Sequence, residues 1–330
     1  MNTIELSEVI KNTDMYELAC KTNAKIKFTD DEAAVVASLN EHFKEVGRTG
    51  CDANHEISSF VQKVINQTIS NTPSELLDEL FERGTIGEYD DFENVIAPKN
   101  ALVSYEAAKG GNVARSYLDT TVLSPRTVNR QIETDISYAD LERNGWKTVA
   151  TITEYAMAEF QNAMFADIFA SINDAIASGA ENYLSLSGAL PTQAEMDKIA
   201  LYVSDRAEGG NGTVVALSKY IQAISKLTGF DSDAMKDEVH LNGRLGVYDG
   251  VSLFPVNGAK KLGNGNPLLQ DKRIFGIAGK LGVLNMRGDV KVYQDMNNNT
   301  EKVHLMFKNF TYAWAFNDNV LENVIMAVAQ

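Results

Sequence analysis

The chain has 330 residues, of which 44% are hydrophobic and 23% charged, with a formal net charge of −15. That much apolar material can build more than one packed core, which excludes a disordered chain. The acidic balance argues against a dedicated nucleic-acid binder, whose phosphate contacts need Lys and Arg.

The charge is uneven. Residues 1–99 hold 19 acids and nine Lys or Arg, a net of −10, and the remaining residues hold the other −5. The start, MNTIELSEVIKNTDMYE, has neither the basic nor the apolar region of a secretion signal. No run approaches 18 apolar residues, so no membrane-spanning helix is expected. Cys20 and Cys51 lie in no CxxC or Cys/His spacing and read as free thiols in a reducing compartment.

Residues 3–82 read as short amphipathic helices. Thr29-Asp30-Asp31-Glu32 has the form of a capped start with acids in the first turn. Ala33, Val36, Ala37, Leu39, Phe43 and Val46 follow at helical spacing up to a stop at Gly47. Ile57, Phe60, Val61, Val64 and Ile65 make a second stripe. Ser74 opens a third, with Leu76, Leu77, Leu80 and Phe81, ended by Gly84. Such helices need a surface to lie on, and a wrapping arm, a fused scaffold segment and a separate domain all fit the pattern.

Residues 92–136 are rich in Val, Thr and Tyr, with a Lys109-Gly110-Gly111-Asn112 turn, and read as a long hairpin arm. An isolated two-stranded ribbon is marginally stable, so such an arm is expected to lie across a neighbour. Arg115 and Arg126 are the bases expected to serve that contact.

From Trp146 to Ser178 the chain runs 33 residues without Gly or Pro, bracketed by Gly145 and Gly179. Read as one helix it spans about 50 Å. Its apolar positions, among them Phe160 and Ile168, fail a strict heptad, because the series from Val149 through Phe160 lands on Asp167. The helix should therefore pack on a sheet and form no coiled coil. Glu154, Glu159, Asp167 and Asp174 would occupy its remaining face.

Beyond it, Thr192–Glu195 opens a helix to about Ala207, Thr213–Leu217 reads as a buried strand, and Ser218–Leu227 as a helix closed by Gly229. Asp249-Gly250 marks a hairpin turn, Lys260–Pro267 a loop, and Ile274–Met286 and Val290–Tyr293 strands. Lys302–Phe316 reads as a long strand after an Asn297-Asn298-Asn299 turn. Helices and strands without regular βαβ repetition argue for an α+β fold.

Residue patterns that carry chemistry are sparse. Gly279-Lys280-Leu281 lacks the P-loop hydroxyl, and Gly209-Gly210-Asn211-Gly212 precedes a strand instead of following one. Asp295, Asn297 and Asn299 match the first ligand positions of a calcium loop, but Thr300 replaces its glycine and Met306 its glutamate, so an Asn-rich turn is the plainer reading. His42, His55, His240 and His304 fall in four separate elements. Arg287-Gly288-Asp289 matches an adhesion tripeptide and fits a bend between strands. Lys260, Lys261, Lys272 and Arg273 form the densest basic cluster, which suits either a solvated loop or an acidic neighbour. No catalytic, cofactor or metal residues are assigned from the sequence.

This order of parts resembles the tailed-phage major capsid proteins with the Hong Kong ninety-seven-type fold. The hairpin looks like that family's extended loop, and Trp146–Ser178 like its spine helix. HLNGRLGVYDGVSLFPVN (240–257) is similar to a strand pair of the axial domain, and residues 275–316 resemble the closing strands. The resemblance implies a non-enzymatic α+β shell subunit. Its parts would be a helical acidic N-terminal arm (1–91), an extended loop (92–136), a peripheral domain with the spine (137–190), an axial domain (191–296) and closing peripheral strands (297–330).

The resemblance further implies self-assembly into hexamers and pentamers around double-stranded DNA bound without sequence specificity. Portal, scaffold or decoration proteins would be partners, with no membrane. The place would be the virion capsid, assembled in host cytoplasm. In some members of that family a lysine of the arm crosslinks to an asparagine on a neighbour, for which Lys109 and Asn317 or Asn319 would be candidates. An encapsulin-type compartment and a soluble α+β enzyme remain open alternatives.

Overall fold

The computed structural model describes residues 15–52, 55–71, 75–90, 92, 95–99, 119–123, 125–207, 212–227, 239, 244–316 and 320–330. The Lys109–Asn112 turn, Arg115, His240, Asn317 and Asn319 lie outside them.

The N-terminal region forms helices α1 (Met15–Ala24), α2 (Asp30–Thr49), α3 (Glu56–Asn71) and α4 (Glu75–Leu80), then strand β1 (Phe81–Ile86). The expected cap at Thr29 is present: Glu32 N donates to Thr29 Oγ1, and Thr29 N donates to the Glu32 carboxylate at 2.9 Å. Helix α2 runs past Gly47 and stops at Gly50, whose φ of 61° is left-handed. The expectation of a stop at Gly47 is thus corrected. That glycine has another purpose, which involves α5 (Tyr138–Asn144). A Cβ on Gly47 would stand 2.6 Å from Glu142 N and 2.7 Å from Tyr138 O. The third helix is also shorter than its apolar pattern suggests. Phe81 and Gly84 enter β1 because that segment pairs in parallel with β10 (Gly282–Arg287).

Helix α6 (Trp146–Ala175) has 30 residues, about 45 Å. Its C-terminal limit falls three residues before Ser178, where Ile176 turns extended and buries its side chain. Its N-terminus starts at Gly145, φ 54°, which offers no capping side chain. The cap comes from α2: Asn40 Oδ1 accepts from Trp146 N at 3.0 Å. Trp146 itself is buried under the N-terminal helices, edge-on to Phe60 with ring centroids 4.7 Å apart, and its indole N–H donates to Thr22 Oγ1. The N-terminal helices are therefore a packed layer over the first half of α6.

The other half of α6 lies on a five-stranded sheet. Its axis is β12 (Lys302–Phe316), the longest strand described. Along one edge β12 pairs with β4 (Arg126–Ser137). It also pairs antiparallel with β11 (Lys291–Asn297) through its first half and with β10 through its second. Phe160 stacks on Phe310 at 4.5 Å, as a helix on its own sheet should. Sheet membership divides the 92–136 hairpin. Among the described residues, β2 (Val95–Lys99) and β3 (Asp119–Leu123) pair with each other as a ribbon, while 126–137 belongs to the body.

A second, six-stranded sheet has the order β5-β13-β9-β6-β8-β7. It contains β5 (Tyr183–Ser185), β6 (Thr213–Leu217), β7 (Val247–Tyr248), β8 (Val251–Val256), β9 (Arg273–Ile277) and β13 (Val324–Val328). Helices α7 (Gln193–Arg206) and α8 (Ser218–Ile224) flank it, and α9 (Val320–Asn323) leads into β13. The expected single strand 274–286 is broken at Ala278–Leu281, so that β9 and β10 enter different sheets. Likewise β13 and β5 sit in the second sheet, and β10 and β11 in the first. The second sheet thus joins strands from 183–185, 213–277 and 324–328, and the first joins 282–297 to 302–316.

Candidate functional site

The ribbon β2–β3 runs antiparallel from Val95↔Leu123 to Lys99↔Asp119 and pairs with no other strand among the described residues. Its base is held by the bend between β10 and β11. Gly288 N donates to Ile86 O at 2.9 Å, and Arg287 Nε donates to Glu88 O at 3.0 Å. The Arg287 guanidinium also lies 5.9 Å from the Phe92 ring centre, and Lys291 pairs with Glu88. The Arg287-Gly288-Asp289 bend thus grips its own chain where the ribbon departs.

Three of the four α6 acids bond to other parts of the chain. Glu154 accepts from Asn23 Nδ2 at 2.6 Å, and Glu159 accepts from Gly263 N at 2.8 Å. Asp167 receives Arg130 in a bidentate pair, with Nη2 at 2.7 Å and Nε at 3.2 Å from Oδ2, and also the Tyr312 hydroxyl. The Asp167 bonds hold the Arg130 guanidinium above its ordinary range. Burial, with the Asp167 bond, pushes the Tyr312 phenol up. Glu154 and Asp174 are exposed, while Glu159 and Asp167 are half-buried.

Arg126, expected to reach a neighbour, donates to Ser171 Oγ at 3.0 Å and sits 5.6 Å over the Trp314 ring. Arg126 stays exposed alongside these bonds. The strand to which Arg126 belongs lies in the sheet, and its inner face places Arg126 and Arg130 against α6.

The basic cluster splits in two. Arg273 Nε donates to Asn173 Oδ1 of α6. Lys260 and Lys261, with Lys219, surround a cleft of about 550 Å³ floored by Leu217, Pro267 and Leu268. Its acid, Asp271, pairs with Lys219, whose ammonium holds that carboxyl below the usual range. The cleft keeps the positive charge of Lys260 and Lys261 on an otherwise acidic chain. Tyr89, Tyr155 and Leu201 are exposed apolar side chains elsewhere on the surface.

The remaining motif residues serve local structure. Asn297 Oδ1 accepts from Asn299 N and Thr300 N, closing the turn that had the look of a calcium loop. Glu195, at 8% exposure, is held at about 2. Burial works to raise it and is outweighed by the N–H groups of Thr192 and Ser187. It is a helix cap with both oxygens in use. His304 Nδ1 lies 2.7 Å from Asp135 Oδ1 across the β4–β12 ladder. His42 meets Asp52 and Glu56, a grouping with no motif spacing to reveal it.

The family described as "SPbeta prophage-derived putative capsid protein YonB" matches residues 5–309. Among solved structures, a chain of Microbacterium phage Oxtober96 is similar at 13% identity with a TM-score of 0.52, covering 80% of this chain and 98% of that one. The capsid structure of the Cyanophage P-SCSP1u matches at 11% identity and a TM-score of 0.51, covering 77% and 87%. The asymmetric unit of the bacteriophage PhiM1 mature capsid also matches at 11% identity and 0.51, covering 75% and 85%. At such identities the likeness is one of fold. No curated protein matches the chain in sequence.

Proposed function

The chain belongs to the family of SPbeta prophage-derived capsid proteins typified by YonB, and on that premise we propose that its copies tile an icosahedral head as hexamers and pentamers around double-stranded DNA. The fold is the Hong Kong ninety-seven-type fold of tailed-phage capsid subunits. The observation that carries the reading is the family match over residues 5–309, nearly the whole chain.

The architecture supports it. A ribbon of two five-residue strands, paired with nothing else among the described residues, is worth little alone and gains stability by lying on another copy. Ile86 and Glu88, just before it in the chain, are hydrogen-bonded to the β10–β11 bend. Helix α6 ties the N-terminal layer to the first sheet and so keeps the tile stiff. Many modest contacts then add up through closure of the shell. The role is structural and not catalytic. The chain's net charge of −15 suits a wall that must release packaged DNA. Assembly takes place in host cytoplasm, with portal and scaffold or decoration proteins as further partners. The parts correspond to an N-terminal layer, an extended loop, a peripheral domain around α6 and an axial domain around the six-stranded sheet.

The test is expression of the full chain, with and without its neighbouring structural genes, followed by negative-stain microscopy and sizing. Closed particles tens of nanometres across are expected. A monodisperse monomer or dimer under every salt and co-expression condition would overturn the reading. Particles that enclose a specific enzyme and no DNA would replace it with a cargo compartment.

A further inference from the structure

Where the N-terminal layer joins the first sheet, α2 and the start of α3 bring together an imidazole and two carboxylates. His42, Asp52 and Glu56 each offer one ligand atom, and these atoms lie within 4.8 Å of one another. His42 Nε2 is 2.6 Å from Glu56 Oε2. Yet Nε2 is closed off from solvent and makes no hydrogen bond. The two atoms are close, but the ring's N–H axis does not run to the oxygen. A shared proton would lie on that axis, whereas two ligands that converge on a third point need not face each other.

Asp52 is buried and already oriented. Its carboxylate accepts from Glu56 N at 3.0 Å, Ile57 N at 3.1 Å and Gln294 Nε2 at 2.9 Å. Gln294 is itself fixed, because its Oε1 accepts from Ser58 N. A carboxylate has about four lone-pair sites, so three donors leave one free. This is the kind of outer shell that holds a metal ligand in place.

We propose that His42, Asp52 and Glu56 bind a divalent metal ion of the zinc class. One nitrogen and two carboxylate oxygens suit zinc better than magnesium or calcium, which take oxygen ligands. Three protein ligands leave a fourth position for water. Ligand atoms around a tetrahedral zinc stand about 3.4 Å apart, given bond lengths near 2.1 Å. The His42–Glu56 approach therefore opens by less than about 1 Å, which rotamer adjustment supplies. The positive end of the α3 dipole opposes a cation by about half a charge, and two carboxylates outweigh it. The ion would staple α2 to α3 over Trp146 and so stabilise the layer by mass action. The site stands or falls independently of the shell reading.

The test is isothermal titration of the chelator-treated, desalted full chain with zinc chloride, and with cobalt(II) chloride as a spectroscopic probe. One equivalent is expected to bind in the wild type, with the visible absorption of four-coordinate cobalt. His42→Ala and Glu56→Gln should each weaken zinc binding at least tenfold and abolish the cobalt band. Circular dichroism on each variant verifies folding. Exposed Cys51 adjoins the site and is the rival ligand, so Cys51→Ser should keep both signals. No binding by the wild type, equal binding by the folded His42 and Glu56 variants, or loss in Cys51→Ser would each overturn the proposal.

Discussion

Replacing Asp167 by alanine should loosen α6 from its sheet by about 3 kcal/mol, for two separable reasons. The first is Arg130. Removing one partner of a buried pair costs about 3–5 kcal/mol, while exposed pairs contribute about 0–1. With side-chain exposures of 37% and 23%, this pair lies between, at about 1–2 kcal/mol. The second is Tyr312, fully buried, whose hydroxyl loses the carboxylate that accepts it. An orphaned buried donor costs about 1–3 kcal/mol. Asp167→Asn keeps an acceptor for Tyr312 and should lose about half as much. Urea unfolding of the unassembled chain measures this by tryptophan fluorescence, since Trp314 stacks 5.9 Å from Tyr312 and reports the joint. A double-mutant cycle with Arg130→Met should return a coupling of about 1 kcal/mol. If Asp167→Ala unfolds with the wild-type midpoint, or shows no coupling to Arg130, the apolar contacts hold the helix alone and this reasoning fails.

Other substitutions probe the remaining joints. Phe160→Ala should cost about 3–5 kcal/mol in the same assay, since its ring is buried against Phe310, and Phe160→Asp should leave no soluble folded chain. Gly47→Ala would gain about 1 kcal/mol of helix propensity. Its Cβ meets the α5 backbone at 2.6 Å, however, so a net loss of about 1–2 kcal/mol is expected, and a variant more stable than wild type would refute the close crossing. Glu195 is held at about 2 against an ordinary 4.5. Its contribution, about 3 kcal/mol at neutral pH, is fully present above pH 4.5 and is lost as pH falls through that window toward 2. The stability gap between wild type and Glu195→Gln should therefore shrink between pH 5 and pH 2.5, and a pH-independent gap would contradict the linkage. Lys260→Glu with Lys261→Glu should leave the melting profile of the unassembled chain unchanged and reduce particle yield. Normal particles from that variant would remove the cleft from the contact surface.

What the sequence by itself determined was local. The caps at Thr29–Glu32 and Thr192–Glu195 form as their spacing requires, because both partners lie within one helical turn. Asp249-Gly250 makes its hairpin turn with φ of 46° and 81°. The fully buried strand Thr213–Leu217 and the uninterrupted α6 follow from residue type and periodicity alone. The order of these parts also sufficed to suggest the capsid fold, since the order of elements constrains the topologies open to a chain.

The tertiary structure decided whatever depends on partners far along the chain. Phe81 leaves its helix because a parallel strand waits 201 residues on, at Gly282. The β9–β10 segment changes sheet at Ala278–Leu281, where Gly279 at φ 69° allows the break but nothing local says which sheet each half joins. Arg126 and Arg130 bond to α6 because Ser171 and Asp167 stand there to receive them. Asn40 caps α6 from another helix, 106 residues away. His42, Asp52 and Glu56 converge only because α2 ends in a left-handed glycine and the chain folds back into α3. Periodicity shows which face of an element is buried. Which partner covers that face, and which charged group is waiting there, is settled only when distant segments compete for the same surface.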